Sequence, residues 1–417
     1  MQLSYLKSLF EYGWTRLEYG AFNPHSLVAL FGAPLIALVF PRSFIDHILT
    51  LTAKKLLFRD PKSIYFYSSG RAALAGALEL VGLSRGDKVI VSEFTCSAVL
   101  EALYFGGYEP IFANYNACDM SVSEQRLKEI LEANHDIKAV IVQNFLGRDE
   151  FRHCLYLFRD REIKLVRDNC LAWPRRIDQS ELWSYQYIVV SFELSKIISC
   201  GWGGALLTYA DHEPPDLPAN NDWFNEASDF FQILISATTL NLLPYKIAKK
   251  IQAVFYRFKM FRYSATSMLK TPNGDEKFIN FSTNLSKWKR AFLIFQIYSA
   301  LSREREHRAL CTEILDRCRD LGLQARLDPI DLNKWLVPRI PVKVSVALNR
   351  QEWGDTVGFW FDRHPIVDLA FFKDVKSKLE NNKLFSSTIN IPAPMKFSAK
   401  EKRNIFRLID RLAETQS

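Results

Sequence analysis

At 417 residues, with 48% hydrophobic and 24% charged side chains, the chain has a globular composition and is too long for one small core. Its net charge of +8 favours an anionic partner, whether a phosphate-bearing substrate, a membrane surface or nucleic acid, without choosing among them. Seven irregularly spaced cysteines with no C-x-x-C, and seven scattered histidines, argue against a disulfide framework and against a metal centre.

Residues 1–60 are helical in character and form a divergent N-terminal segment. They show no cleavable signal peptide, because the first apolar block, "SLVALFGAPLIALVFP" (26–41), comes late. Its apolar run contains Gly32 and Pro34 and is shorter than the roughly 20 residues of a straight spanning helix. Two readings stand side by side. One is a buried helix or broken hairpin; the other is a re-entrant or interfacial membrane segment flanked by Trp14, Tyr19 and Arg42.

From residue 61 to about 210, strand-like and helical runs alternate. "KVIVSEF" (88–94), "EPIFANY" (109–115), "KAVIVQNF" (138–145), "IKLVRDN" (163–169), "YQYIVVSF" (185–192) and "GALLTY" (204–209) read as short buried strands. "RAALAGALELVGL", "CSAVLEALYFGG", "SEQRLKEILEANH" and "EFRHCLYLFRDRE" read as helices between them. Such alternation predicts an α/β fold with a mostly parallel sheet covered by helices, its ligands bound beyond the carboxyl ends of the strands.

Residues 211–275 break this rhythm as a helical insertion, so the large domain is expected over 61–275. Within it, 244–263 carries Lys246, Lys249, Lys250, Arg257, Lys259 and Arg262, interleaved with aromatics and without an acid. That pattern suits an anionic membrane surface or nucleic acid; a solvated basic face is the plain alternative. Together with 26–41 it favours peripheral membrane contact over nucleic acid. A long helix and a small α/β domain are expected over 276–417, closing in a helix capped by Ser398.

Four features of the sheet region carry chemistry. In "YSSGRAAL" (67–74), Ser69 and Gly70 open a helix whose first N–H groups can hold a phosphate. In "KLVRDNCLAW" (164–173), Asp168 ends a buried strand, where an acid needs a cationic partner, an N-cap role or a salt bridge such as one to Arg167. In "SFELSK" (191–196), Lys196 sits among apolar residues as a candidate nucleophile toward carbonyls, with Ser191 available to a phosphate. "GWGG" (201–204) then turns the chain tightly back into the sheet. A phosphate cup, an acid for a ring nitrogen and a lysine for an aldehyde are the parts of a pyridoxal phosphate site.

Residues 64–210 resemble the DegT/DnrJ/StrS sugar aminotransferases. "SGRAAL" is similar to that family's S-G-T-A-A-L, "GDKVIVSEFT" to G-D-E-V-I-V-P-x-F-T, "RDNCLA" to E-D-x-A-Q/H, and "SFELSK" with "GWGG" to S-F-x-x-x-K with G-x-G-G. The resemblance implies an aspartate-aminotransferase-like large domain with a small C-terminal α/β domain, in a homodimer. It implies pyridoxal 5'-phosphate as cofactor, a keto-sugar substrate, in the family nucleotide-linked, and glutamate as amino donor, in polysaccharide or glycan biosynthesis. Lys196 would hold the cofactor and shuttle protons, and Asp168 would meet the ring nitrogen. Ser69, Gly70, Arg71 and Ser191 would hold the phosphate, and Asn284 matches an asparagine that the family sends to its partner's phosphate. Arg71 stands where the family has threonine, Cys96 where it has an aromatic over the ring, and Leu171 where it has glutamine or histidine. These departures leave two rivals: another pyridoxal phosphate reaction on the same fold, or a catalytically silent, membrane-associated interaction protein. The expected location is the cytoplasm, peripheral on the inner membrane face.

Overall fold

A computed structural model describes residues 27–56, 61–116, 121–159, 161–174, 186–193, 196–211, 223–242, 283–327, 335–345, 358–359, 388–395 and 397–416, with isolated positions between them. Residues 1–26 and most of the basic stretch 244–263 lie outside the described residues. Seven strands make the central sheet: β1 (Ser63–Tyr67), β2 (Lys88–Ser92), β3 (Glu109–Ala113), β4 (Ile137–Phe145), β5 (Lys164–Asp168), β6 (Tyr187–Ser191) and β7 (Gly204–Thr208). Their order is β1-β7-β6-β5-β4-β2-β3, and the two-residue strand Arg148–Asp149 pairs onto the end of β4. Neighbours from β6 to β3 are parallel, while β7 runs against both β1 and β6.

The helices are α1 (Leu27–Val39), α2 (Arg42–Leu56), α3 (Gly70–Leu80), α4 (Ser97–Gly106), α5 (Glu124–Ala133), α6 (Trp223–Leu242), α7 (Lys287–Asp320) and α8 (Ala399–Gln416). The strands read as continuous apolar runs because both faces of the sheet are covered. Ile188, Val190, Val140 and Leu207 pack in one core with residues of α1, α2 and α7. Their alternates Val189, Ile141 and Leu206 pack in another with α3 and α4. A period of two thus feeds two cores from the same strands.

The α7 helix, about 50 Å long at 1.5 Å per residue, joins this assembly to a third core. Phe292 and Ile297 from its first half lie in the sheet core, whereas Leu310, Ile314 and Cys318 pack with Ile340, Ile391, Leu408 and Leu412. That third core holds a small antiparallel sheet of β8 (Arg339–Lys343), β9 (Gly358–Phe359) and β10 (Thr388–Pro392), in the order β8-β10-β9, backed by α8. The α8 start is a capping box: Ser398 Oγ accepts from Glu401 N at 3.2 Å, and Glu401 Oε2 accepts from Ser398 N at 2.7 Å.

Two sequence expectations change. The segment 150–162 is not one helix; it is a chain of i to i+3 turns, such as Cys154 N to Phe151 O at 2.9 Å, ending in the short helix Tyr156–Arg159. These tight turns bring Phe151, Cys154 and Phe158 into one core. The apolar run 27–40 is neither a hairpin nor wholly buried. It forms one helix through Pro34, with Ala29, Leu30 and Ala33 buried and Val28, Phe31, Leu35 and Leu38 exposed.

Candidate active site

The site forms where the carboxyl ends of β2, β4, β5 and β6 meet the start of α3. Its tightest contact is between backbones. A Cβ on Gly204, the first residue of β7, would lie 2.5 Å from Ser69 O and 2.6 Å from Gly70 N and Cα. Glycine is therefore required there, and it seats the α3 N-terminus against the sheet. A Cβ on Gly70 would in turn lie 2.9 Å from Ser191 Oγ and 3.4 Å from Cys170 Sγ. Ser69 caps α3 through Oγ, which accepts from Ala72 N at 3.1 Å. The N–H groups of Gly70 and Arg71 have no acceptor within the helix. Ser69, Gly70, Ser191 and Cys170 are thus brought to one place from three separated points of the chain.

Asp168 is buried at the end of β5, where Oδ1 accepts from Cys170 N at 2.9 Å and also takes a hydrogen bond from the Cys170 thiol. It is not paired with Arg167. That guanidinium is buried beside Asp149, to which it donates from Nε at 3.2 Å and from Nη2, and it lies 4.6 Å from the ring centre of Trp335. Among the described residues neither Asp168 nor Lys196 forms an ion pair.

Lys196 stands in the loop from β6 to β7, half-buried, with its N–H given to Glu193 O at 3.0 Å. The loop is closed by Phe192 N to Gly203 O at 2.8 Å and Cys200 N to Phe192 O at 3.0 Å, and Gly201 turns it at φ +88°. Cys96, the N-cap residue of α4, and Cys170 both lie within electrostatic reach of Asp168 and of Lys196. Burial and then the Asp168 charge raise both thiols above the usual range, against the pull of Lys196. They are therefore protonated at neutral pH and serve as small walls, with no thiolate character.

Two expected phosphate-cup side chains have other partners. Arg71 Nη1 pairs with Glu101 Oε2 of α4 at 2.7 Å. Asn284 bridges to Tyr67; its Nδ2 donates to Leu217 O and its Oδ1 accepts from Arg290 Nη2 at 2.9 Å.

Glu101 and Glu150 were not singled out from the sequence. Glu101 had a readable signal, since it is the only charged residue of α4. Glu150 is 1% exposed; Oε1 accepts from Gln143 N at 3.0 Å, and its side chain takes a hydrogen bond from Ser92. It lies within electrostatic reach of Asp168 and Asp149, and Gln143 faces Asp168 across the β4–β5 ladder.

The donor set fits pyridoxal phosphate. The buried Asp168 carboxylate has no ion-pair partner among the described residues, and Lys196 acts on the same two thiols as it does. A cradle that a Cβ would fill lies beside a helix N-terminus. Thr95 Oγ1, Gln143 Oε1 and both side-chain polar atoms of Asn169, buried at the same strand ends, have no hydrogen-bond partner among the described residues. The described residues hold no cluster that could bind a metal ion.

Residues 62–214 match the DegT/DnrJ/EryC1/StrS aminotransferase family. A GDP-perosamine synthase from Vibrio cholerae is 25% identical over 170 residues, 40% of this chain and 45% of that protein. The chain thus spans less than half of that relative's length. The aminotransferase from Psychrobacter cryohalolentis superposes with a TM-score of 0.63 over 94% of this chain and 98% of its own, at 13% identity. NtdA from Bacillus subtilis, with bound cofactor PMP, superposes with a TM-score of 0.59 over 93% and 82%, at 14% identity.

Burial pushes the Glu150 carboxyl well above its usual range, outweighing its hydrogen bonds to Gln143 and Ser92. The native state then holds a proton that the unfolded chain gives up, so this group lowers stability as pH rises from about 4.5, its unfolded value. Glu150→Gln keeps an acceptor for Gln143 N and removes that loss. Thermal melts should show little change at pH 4.5 and a higher Tm than the parent at pH 8; an equal fall at both would contradict it.

Residues 62–214 thus match the DegT/DnrJ/EryC1/StrS aminotransferase family, and the chain as a whole has the fold of the solved sugar aminotransferases.

Proposed function

We propose that the chain is a pyridoxal-phosphate-dependent aminotransferase that transfers an amino group to a nucleotide-linked keto-sugar in polysaccharide or glycan biosynthesis, with glutamate as donor. The observation that carries this is the pair Asp168 and Lys196, two charged side chains without an ion-pair partner among the described residues, both within electrostatic reach of the Cys96 and Cys170 thiols. The name of the Vibrio relative, which makes GDP-perosamine, supports a sugar carried on a nucleotide. The bound cofactor supplies an electron sink for carbanion chemistry.

The chain's own residues divide the remaining work. Asp168 would meet the ring nitrogen of the cofactor and keep it protonated. Lys196 Nζ would hold the cofactor and would move the proton at the substrate carbon. Gly70 N, Arg71 N and Ser191 Oγ bind the phosphate, with Ser69 fixing the turn that presents them. Cys96 borders the ring from the start of α4. The resemblance extends the reading to a homodimer. Asn284 is assigned an intrachain role, holding β1 to the approach of α7.

Added pyridoxal phosphate should give purified protein a visible absorption band that Lys196→Ala removes. A parent protein that stays colourless would support the silent interaction protein instead. If the band forms but glutamate does not convert the cofactor to its amine form, another pyridoxal phosphate reaction is the better reading.

A second observation favours peripheral contact with the inner face of a membrane from the cytoplasm. The α1 helix has no charged residue and is apolar all round, yet exposes Val28, Leu35, Leu38 and Val39 at 82%, 63%, 80% and 75%. A helix of that kind is ordinarily covered. Beside it lies an open groove of about 490 Å³ lined by Pro34, Ala37, Leu38, Ala227, Phe230 and Trp288, with the charged Glu226 and Lys287 also lining it. Among the described residues no helix is long and apolar enough to cross a membrane, so contact would be in the plane of the surface. Full-length protein should float with anionic phosphatidylglycerol vesicles, and Leu35→Asp/Leu38→Asp should stay behind. No flotation of the parent at low salt would rule this out.

A further inference from the structure

At the start of α3 the backbone and side chain of Arg71 take different directions. The N–H remains at the open end of the helix, near Ser191. The guanidinium crosses to α4, where Nη1 meets Glu101 Oε2 at 2.7 Å. The two side chains are 8% and 1% exposed, so water cannot complete their hydrogen bonding. Arg71 Nε and Glu101 Oε1 nonetheless have no hydrogen-bond partner among the described residues. A bidentate pair would satisfy both atoms; the observed pose makes one contact of two.

A buried ion pair left half satisfied is an expensive way to join two helices. The rest of the α3–α4 contact region is apolar, built from Ala73, Ala77, Val99, Ala102 and Leu103. An apolar pair would tie the helices at lower cost, so the charges call for another explanation. Their surroundings supply one. The charged group facing Glu101 is Arg71; Arg71 faces Glu101 and the Cys96 thiol. Cys96 in turn lies within electrostatic reach of Asp168 and Lys196, so one thiol is in the field of the guanidinium and of both site charges.

We propose that Glu101 is a positioning residue for the phosphate cup: its single contact holds the Arg71 guanidinium beside the α3 N-terminus, and an anion seated there competes with the carboxylate for that guanidinium. This rests on the reading above that the Ser69–Gly70–Arg71 turn holds the cofactor phosphate. Burial raises the Glu101 carboxyl to about 7, although Arg71 pulls it down. Below that pH Glu101 is neutral and the Arg71 charge serves the phosphate. Above it the carboxylate claims the guanidinium and repels the anion. The phosphate's contribution to binding therefore falls as pH rises through about 7.

The test compares pyridoxamine 5'-phosphate with pyridoxamine, titrated by tryptophan fluorescence into cofactor-free protein between pH 6 and pH 8.5. The ratio of the two affinities isolates the phosphate, and the phosphate's own ionisation acts alike in every variant. In the parent the ratio should fall about tenfold across this range, relative to Glu101→Gln, which should lack that fall. Arg71→Gln should give a lower ratio than the parent at pH 6. A Glu101→Gln protein with the parent's pH profile would overturn the inference, as would an Arg71→Gln ratio equal to the parent's. If Glu101→Gln does not fold, the Arg71→Gln ratio against the parent's decides the matter alone. A parent that binds neither compound removes the cofactor reading and this inference with it; binding with an unaltered profile in the variants removes this inference alone.

Discussion

The approach of Gly204 to the Ser69–Gly70 backbone sets the geometry of the whole site. No side chain fits between them, so β7 and the α3 start hold a fixed separation. Because β7 pairs with β1 on one side and β6 on the other, the same contact fixes the two strand ends from which Ser69 and Ser191 emerge. The loop carrying Lys196 spans the gap from Ser191 to Gly204. Its amine is thus positioned by the same backbone contact that positions the cup.

The second constraint is the management of buried charge. Lys289 is buried with Asp229 and Glu226, Arg290 with Asp46, and Arg167 with Asp149. Each pair joins elements distant in sequence, and each gives a cation that could have neutralised the site a partner elsewhere. Asp168 is left with a backbone N–H and a thiol as its donors, which orient the carboxylate without cancelling its charge. The polarity of the site is therefore a product of its surroundings as much as of its own residues.

Much of this was legible in the chain. The strand runs could be read because burial on both faces leaves them uniformly apolar, and "GWGG" could be read as a tight turn because its glycines admit the positive φ found at Gly201. Other parts were not legible. Periodicity suggested a helix over 150–162, but three large side chains reach one core there only through tighter turns. Arg71 looked like a free cation at a phosphate cup, since its partner Glu101 is thirty residues away on another helix. Asn284 looked like a reaching side chain, whereas Arg290 and Leu217 O, one of them 67 positions distant, hold it within its own chain. For Arg71 and for the Leu217 contact of Asn284 the deciding contact is long-range, and no local pattern encodes it.

If Lys196 is the residue that holds the cofactor, borohydride reduction of the protein after incubation with pyridoxal phosphate must leave a pyridoxyl group on one lysine. Peptide mass spectrometry of the reduced protein reads which one. A stoichiometric addition on the peptide bearing Lys196 is the expected result. Addition spread over surface lysines, or on none, would contradict the assignment.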